Sequence, residues 1–244
     1  MTMNGLAEDI KRKSETIQEK IVKAAISSGR NANEVKLVTV SKTKPVEVLR
    51  AAAEAGITLF GENYPEETVS KIEALSPLFP GLEWHMIGHL QSRKASLVAE
   101  HFTMMHSLDS VKLAERLGRK LNEYHRTLPV LLEMNVSGED SKGGWPAWNE
   151  SLWEGLLPEV EKILATDSLL VKGLMTMPPM FDDPQAVRPY FVRIRQLRDW
   201  LAKRFPQSQW DELSMGTSLD FIVAVEEGAT FVRIGTAILG SRVT

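Results

Sequence analysis

Apolar positions along the chain follow two periods that take turns. Leu6, Ile10, Ile17, Ile21 and Ala24 recur at helical spacing and predict an amphipathic opening helix that ends near Ser28. Residues 35–40 are short, apolar and β-branched, and predict a buried strand. Helical composition returns over 46–55, with Pro45 at the start and Gly56 at the stop. The alternation continues with strands at 58–61, 84–88, 102–108 and 129–136, and helices at 64–75, 91–99 and 110–124, the last with Ser110 as its candidate N-cap. A polar loop at 137–144 precedes a helix at 152–165. Then come a strand at 169–175, a long helix at 184–205, a strand at 210–215, a short helix at 219–228 and a last strand at 230–234. Eight strand-then-helix units without a Pro/Gly/Ser-rich linker predict one α/β domain spanning 1–244. Its expected form is a closed (β/α)8 TIM barrel with an additional N-terminal helix. An open doubly wound sheet is the alternative.

Composition narrows the chemistry. The 244 residues are 43% hydrophobic and carry a formal net charge of -3, with Lys and Arg spread along the chain. That gives no reason to expect nucleic-acid binding. No cysteine is present, which excludes disulfides and thiolate metal sites, and the five histidines form no ligand motif. No apolar run is long enough for a bilayer, and the first residues lack the apolar core of a signal peptide, so no membrane association and a cytoplasmic location are expected.

Barrels of this kind place their sites at the C-terminal ends of the strands. The residues there are polar and small: Ser41 to Lys44, Gly61 to Tyr64, Gly88 to Gln91, Ser214 to Ser218, and Gly235-Thr236. The last two groups follow the seventh and eighth strands, where barrels commonly bind phosphate. Their turns can bring backbone N–H groups near an anion, aided by a helix start near Leu219; a plain cap and turn is the alternative. Lys42 follows an apolar strand. Burial there lowers an amine from its reference near ~10.4 and leaves it able to form an imine. A neighbouring cation, Lys44, acts in the same direction. Lys42 equally suits a class I aldolase or a side chain that only reaches for solvent. Arg233 lies between Val232 and Ile234 and needs a partner, either a ligand ring nitrogen or a structural carboxylate. Asn63 and Gln91 are candidate ligand contacts or caps, His85 reads as a hydrogen-bonded core residue, and Met175 as packing.

These segments together resemble the pyridoxal 5′-phosphate (PLP) homeostasis protein family, which is related to the barrel domain of alanine racemase. The matching pieces are Val40-Ser-Lys-Thr-Lys-Pro45, Phe60-Gly-Glu-Asn-Tyr64, Trp84-His-Met-Ile-Gly88 with Leu90-Gln91, and Asn135-Val-Ser137 with Ser141-Lys142. Gly173-Leu-Met175, Leu213-Ser-Met-Gly216 with Ser218 and Asp220, and Val232-Arg-Ile-Gly-Thr-Ala237 complete the series in family order. The resemblance implies a PLP fold-type III-like barrel with PLP as cofactor, held as a Schiff base on Lys42. It implies that Arg233 faces the pyridine nitrogen, that Ser214, Gly216, Gly235 and Thr236 hold the phosphate, and that Asn63 lines the cofactor. Thr217 stands where the family usually has Met and places a hydroxyl beside the phosphate loop. Arg93 replaces a common Asn, and Pro65-Glu66 a usual Val-Gln.

The resemblance also implies storage or delivery of PLP without rapid turnover, with apo PLP-dependent enzymes as candidate recipients. An Arg at the pyridine nitrogen keeps it unprotonated and weakens the ring as an electron sink. Related racemases take a second acid/base, a Tyr, from a separate domain. This sequence continues only to Thr244, and Tyr64 is the one stand-in near the mouth. A PLP-dependent racemase-like enzyme and a PLP-free Schiff-base aldolase are the alternatives. The oligomeric state is left open.

Overall fold

The computed structural model describes residues 3–240, so the expected domain limits at 1 and 244 lie outside the described residues. The chain opens with α1 (Met3–Ser27), then β1 (Lys36–Val40), α2 (Val46–Glu54), β2 (Leu59–Glu62), α3 (Pro65–Leu75) and β3 (Glu83–Met86). It continues with α4 (Ala95–His101), β4 (Met104–Leu108), α5 (Val111–Glu123), β5 (Leu128–Asn135) and the two-residue β6 (Trp145–Pro146). The remaining elements are α6 (Leu157–Leu164), β7 (Leu169–Met175), α7 (Arg188–Arg204), β8 (Glu212–Ser214), α8 (Phe221–Glu226), β9 (Phe231–Ile234) and α9 (Thr236–Leu239).

All strand pairs are parallel, and the sheet closes: β1 pairs with both β2 and β9, and β4 pairs with β5. Closure excludes the open doubly wound sheet. Eight strands form the wall, and β6 adds to β5 outside the ring, with Trp145 opposite Met134. The strands alternate. Outward residues such as Phe60, Trp84, Met105 and Leu213 pack beneath helix residues such as Leu49, Leu117 and Leu197. A separate inner cluster holds Val38, Met104, Leu131, Met175 and Phe231, so Met175 is packing, as expected. Each fully buried large apolar side chain contributes roughly 1.5–3 kcal/mol.

The differences from the sequence expectation have local causes. The helix expected over 152–165 is a 3-10 segment, Glu150–Leu156, followed by α6, and that expected over 184–205 is Pro184–Val187 followed by α7. In both, a proline (Pro158, Pro189) sits in the first turn of the α-helix. Proline has no N–H to donate to the preceding turn, so the α-helical hydrogen-bond ladder cannot run through it. Ser110 caps α5 by accepting the Leu113 N–H, as expected. The helix expected over 219–228 shrinks to the six residues of α8, and α9 was not foreseen. The first strand stops at Val40, as expected, and Lys42 lies in the turn that follows it.

Candidate functional site

Two clusters meet at the C-terminal mouth, on the neighbouring strands β1 and β9. The first surrounds Lys42. The Ser41 N–H donates to the Gly61 carbonyl at 3.0 Å, and the Lys44 N–H donates to the Ser41 carbonyl at 3.1 Å, closing a four-residue turn. Lys42 is second in that turn and partly buried. Thr43 is third, with φ 62°. Glycine or asparagine normally occupies such a position, and a β-branched residue there is strained. Strain of this kind persists where surrounding contacts impose it.

The contacts come from α3 and β2. Glu67 Oε1 accepts the Thr43 N–H at 3.0 Å and the Lys71 ammonium at 2.6 Å. Lys71 also reaches Glu62 Oε1 at 2.7 Å and the Ser41 carbonyl at 3.0 Å, while the Ser41 hydroxyl donates to Glu62 Oε1 at 2.7 Å. Both Glu62 and Lys71 are buried. Burial pushes the Glu62 carboxyl above its usual range, against the pull of Lys71 and the Ser41 hydrogen bond. This brace was not read from the sequence; the only signal was charge at 62, 67 and 71 on a segment otherwise read as strand and helix. Lys44, expected as a second cation, instead donates to the Gly240 carbonyl at 3.0 Å, and burial lowers its pKa.

The second cluster surrounds Arg233. Val38 of β1 lies opposite Arg233 of β9 in register. The guanidinium is buried, and its acceptors are neutral: Ser214 Oγ at 2.5 Å, the Thr176 carbonyl at 2.9 Å and Met177 Sδ at 2.8 Å. Burial pulls its pKa down to about 10, while Glu133 and Asp220 oppose that shift only through space. The structural ion pair considered for Arg233 is therefore not what holds it. Glu133 is itself pushed up by burial and by Asp109.

Around these clusters lie the small turns. Gly216 has φ 92°, and a methyl group on it would stand 2.5 Å from Ala224 Cβ, so backbone and α8 approach closely only with glycine there. A methyl on Gly235 would lie 3.0 Å from the Val40 carbonyl oxygen, which brings the ends of β1 and β9 together. Thr236 opens the four-residue α9, in which the Ile238 and Leu239 N–H groups both donate to the Gly235 carbonyl at 2.9 Å. The Thr217 N–H and hydroxyl both donate to Asp220 Oδ1, at 2.6 and 3.0 Å. An aspartate carboxylate thus occupies the start of α8, where the sequence suggested a helix end for an anion. The Ser214 hydroxyl is also engaged, bonding both Arg233 and His106. Asn63 Oδ1 is buried and has no partner. Tyr64 is exposed at the N-cap of α3, and Pro65 opens that helix, where a missing N–H is tolerated. Arg93 donates to Gln91 Oε1 at 3.2 Å and Lys94 pairs with Glu66, so both basic residues are engaged on the outer surface.

The sequence matches the family described as alanine racemase, N-terminal domain, over residues 18–243. A pyridoxal phosphate homeostasis protein of Pasteurella multocida is 43% identical over 226 residues, covering 93% of this chain and 94% of its own length. PipY of Synechococcus elongatus, solved with PLP bound, is 35% identical, with a TM-score of 0.77 over 90% of this chain and all (100%) of that one. An alanine racemase of Streptomyces coelicolor shares the fold, with a TM-score of 0.70 at 17% identity over 97% of this chain and 58% of that one. On a match of this length and identity, the chain belongs to the pyridoxal phosphate homeostasis protein family, within the wider group built on the alanine racemase N-terminal domain.

Proposed function

We propose that this protein binds PLP at the C-terminal mouth of the barrel, held on Lys42 as a Schiff base, and stores or delivers it without rapid catalysis. The observation that carries the reading is the pairing of the strained turn at Lys42 with a buried, neutrally solvated guanidinium on the adjacent strand. A buried cation without a carboxylate partner is costly to maintain unless a ligand uses it. Asn63 Oδ1, buried without a donor, supports the same reading. That PipY binds PLP and that the relatives are named for PLP homeostasis supports the choice of cofactor.

PLP supplies an aldehyde that condenses with an amine, releasing water and forming an imine, and a ring that accepts electrons when its nitrogen is protonated. In this reading the Glu67–Lys71–Glu62 brace fixes the turn, so the Lys42 amine is presented in one direction. Arg233 can only donate, so it holds an unprotonated ring nitrogen and suppresses the electron sink. Gly216, Gly235 and Thr236 offer backbone and hydroxyl donors to the phosphate. Ser214 acts from its place beside Arg233, and the Thr217 hydroxyl contributes on leaving Asp220. Residues 1–244 act as one PLP-binding unit, and apo PLP-dependent enzymes are the proposed recipients.

The test is the visible spectrum during PLP titration, before and after borohydride, with peptide mapping of any reduced adduct. The expected adduct is on Lys42. Lys42→Ala should lose it while retaining phosphate-anchored PLP, and Arg233→Ala should change the spectrum more than the occupancy. A protein that stays colourless with added PLP would overturn the cofactor, and unchanged spectra in both variants would remove the assigned roles.

A further inference from the structure

Four polar side chains line up along the barrel axis, inside the ring of strands. Arg233 is on β9, Ser214 on β8, His106 on β4 and His85 on β3. The guanidinium donates to Ser214 Oγ, which lies 2.8 Å from His106 Nδ1. His106 Nε2 lies 2.9 Å from His85 Nδ1. Both imidazoles pack on the Phe231 ring, at centroid distances of 5.7 Å for His85 and 4.9 Å for His106. His106, Ser214 and His85 are all buried.

We propose that Ser214, His106 and His85 form a hydrogen-bond chain of fixed direction that positions Arg233 from beneath. The inference rests on the reading that Arg233 faces the ring nitrogen of bound PLP. The direction follows from donor and acceptor inventory. A guanidinium has no acceptor, so the Ser214 hydroxyl accepts from it and sends its own hydrogen to His106 Nδ1. His106 then carries its proton on Nε2 and donates to His85 Nδ1. His85 in turn carries its proton on Nε2, which points towards Glu83. The reverse order would put two donors on the Ser214 oxygen and strand its hydroxyl hydrogen in a dry site. Burial favours the neutral imidazoles that this order requires: it lowers the pKa of both histidines, that of His106 well below the usual value.

The lower end of the chain is reachable. His85 Nε2 stops 3.6 Å from Glu83 Oε2, too far for a good hydrogen bond. It opens on a cavity of about 630 Å³ at the N-terminal end of the barrel, lined by Lys36, Glu83, Lys172, Glu212 and Phe231 among others. The two ends of the barrel are thus joined through its core by neutral hydrogen bonds, and Ser214, His106 and His85 are positioning residues.

The experiment has two arms. In cofactor-free protein, ¹⁵N NMR of labelled histidine should find His106 and His85 each as a single neutral tautomer, protonated at Nε2. In PLP-loaded protein, His106→Phe removes the acceptor for Ser214. It should shift the visible absorption and weaken PLP retention by up to about tenfold, the size of one hydrogen bond between neutral groups. His106→Asn, whose side-chain oxygen can stand near Nδ1, should restore most of both. His106 protonated at Nδ1 would overturn the direction. Equal spectra and equal PLP retention in wild type, Phe and Asn variants would overturn the positioning role. Failure to bind PLP at all would sink the cofactor reading instead, leaving the tautomers to decide the chain.

Discussion

The two sides of the barrel mouth solve one problem by opposite means. At the β1 corner, Lys42 is aimed by full charges: Glu62, Lys71 and Glu67 clamp a strained turn from outside the strand ring. At the β9 side, one cation, Arg233, is held by neutral groups inside the ring, and the polarity runs down through Ser214 to two histidines. The difference teaches how each group is used. On the proposed function, a lysine that exchanges a covalent partner would gain from a turn whose backbone is clamped while its side chain is only partly buried. The Arg233 guanidinium is embedded among neutral acceptors, and on the proposed function that place would keep it fixed and charged opposite the cofactor.

The clamp should be the more fragile of the two. Lys71→Met strands a buried carboxylate, so we expect a loss of about 3–5 kcal/mol of stability by chemical denaturation. The double change with Glu62→Gln should recover much of it, since no charge is then left alone. A double variant as unstable as the single one would show that packing, not charge, fixes this corner.

The chain should reveal itself in acid. His85 and His106 have folded pKa values below the unfolded value of about 6.5, so the unfolded state binds more protons in that window. Their contribution is therefore fully present above the unfolded pKa and is lost as pH falls beneath it, by up to about 1.4 kcal/mol per pH unit for each histidine. The raised carboxyls of Glu62 and Glu133 act in the opposite sense, gaining stability as they protonate. Comparing denaturation midpoints of wild type and His106→Phe between neutral and mildly acidic pH isolates one proton. Parallel pH profiles would show that His106 does not titrate differently on folding.

The smallest effect belongs to the strain itself. Thr43→Gly suits φ 62° but adds freedom to the unfolded chain, so stability should change by no more than about 1 kcal/mol. Reaction of Lys42 with PLP, followed by stopped-flow absorbance, should slow because the turn loses its single conformation. An unchanged rate would mean that Glu67 and Lys71 direct Lys42 without help from the backbone.

Much of this molecule was written in its pattern of residues. The strand segments, the N-terminal helix, the Ser110 cap and the placing of Lys42 and Arg233 near strand ends follow from periodicity and turn residues, which are local properties. His85 as a core histidine was legible for the same reason: it alternates with Trp84 and Met86. His106 shares the inward face of its strand with Met104 and went unread, because period two says that a side chain faces inward but not what it meets there. That answer needs the closure of the sheet, which brings β4 opposite β8 and puts His106 against Ser214, 108 positions away in sequence. The left-handed Thr43 and the buried Glu62–Lys71 pair were hidden for a related reason. Each is unfavourable in isolation and is held only by contacts between β1, β2 and α3. Sequence determined which segments are strand and helix and which chemical groups stand at the strand ends. Tertiary structure alone decided which of those groups share a hydrogen bond, because partners around a closed barrel are set by register and not by nearness along the chain.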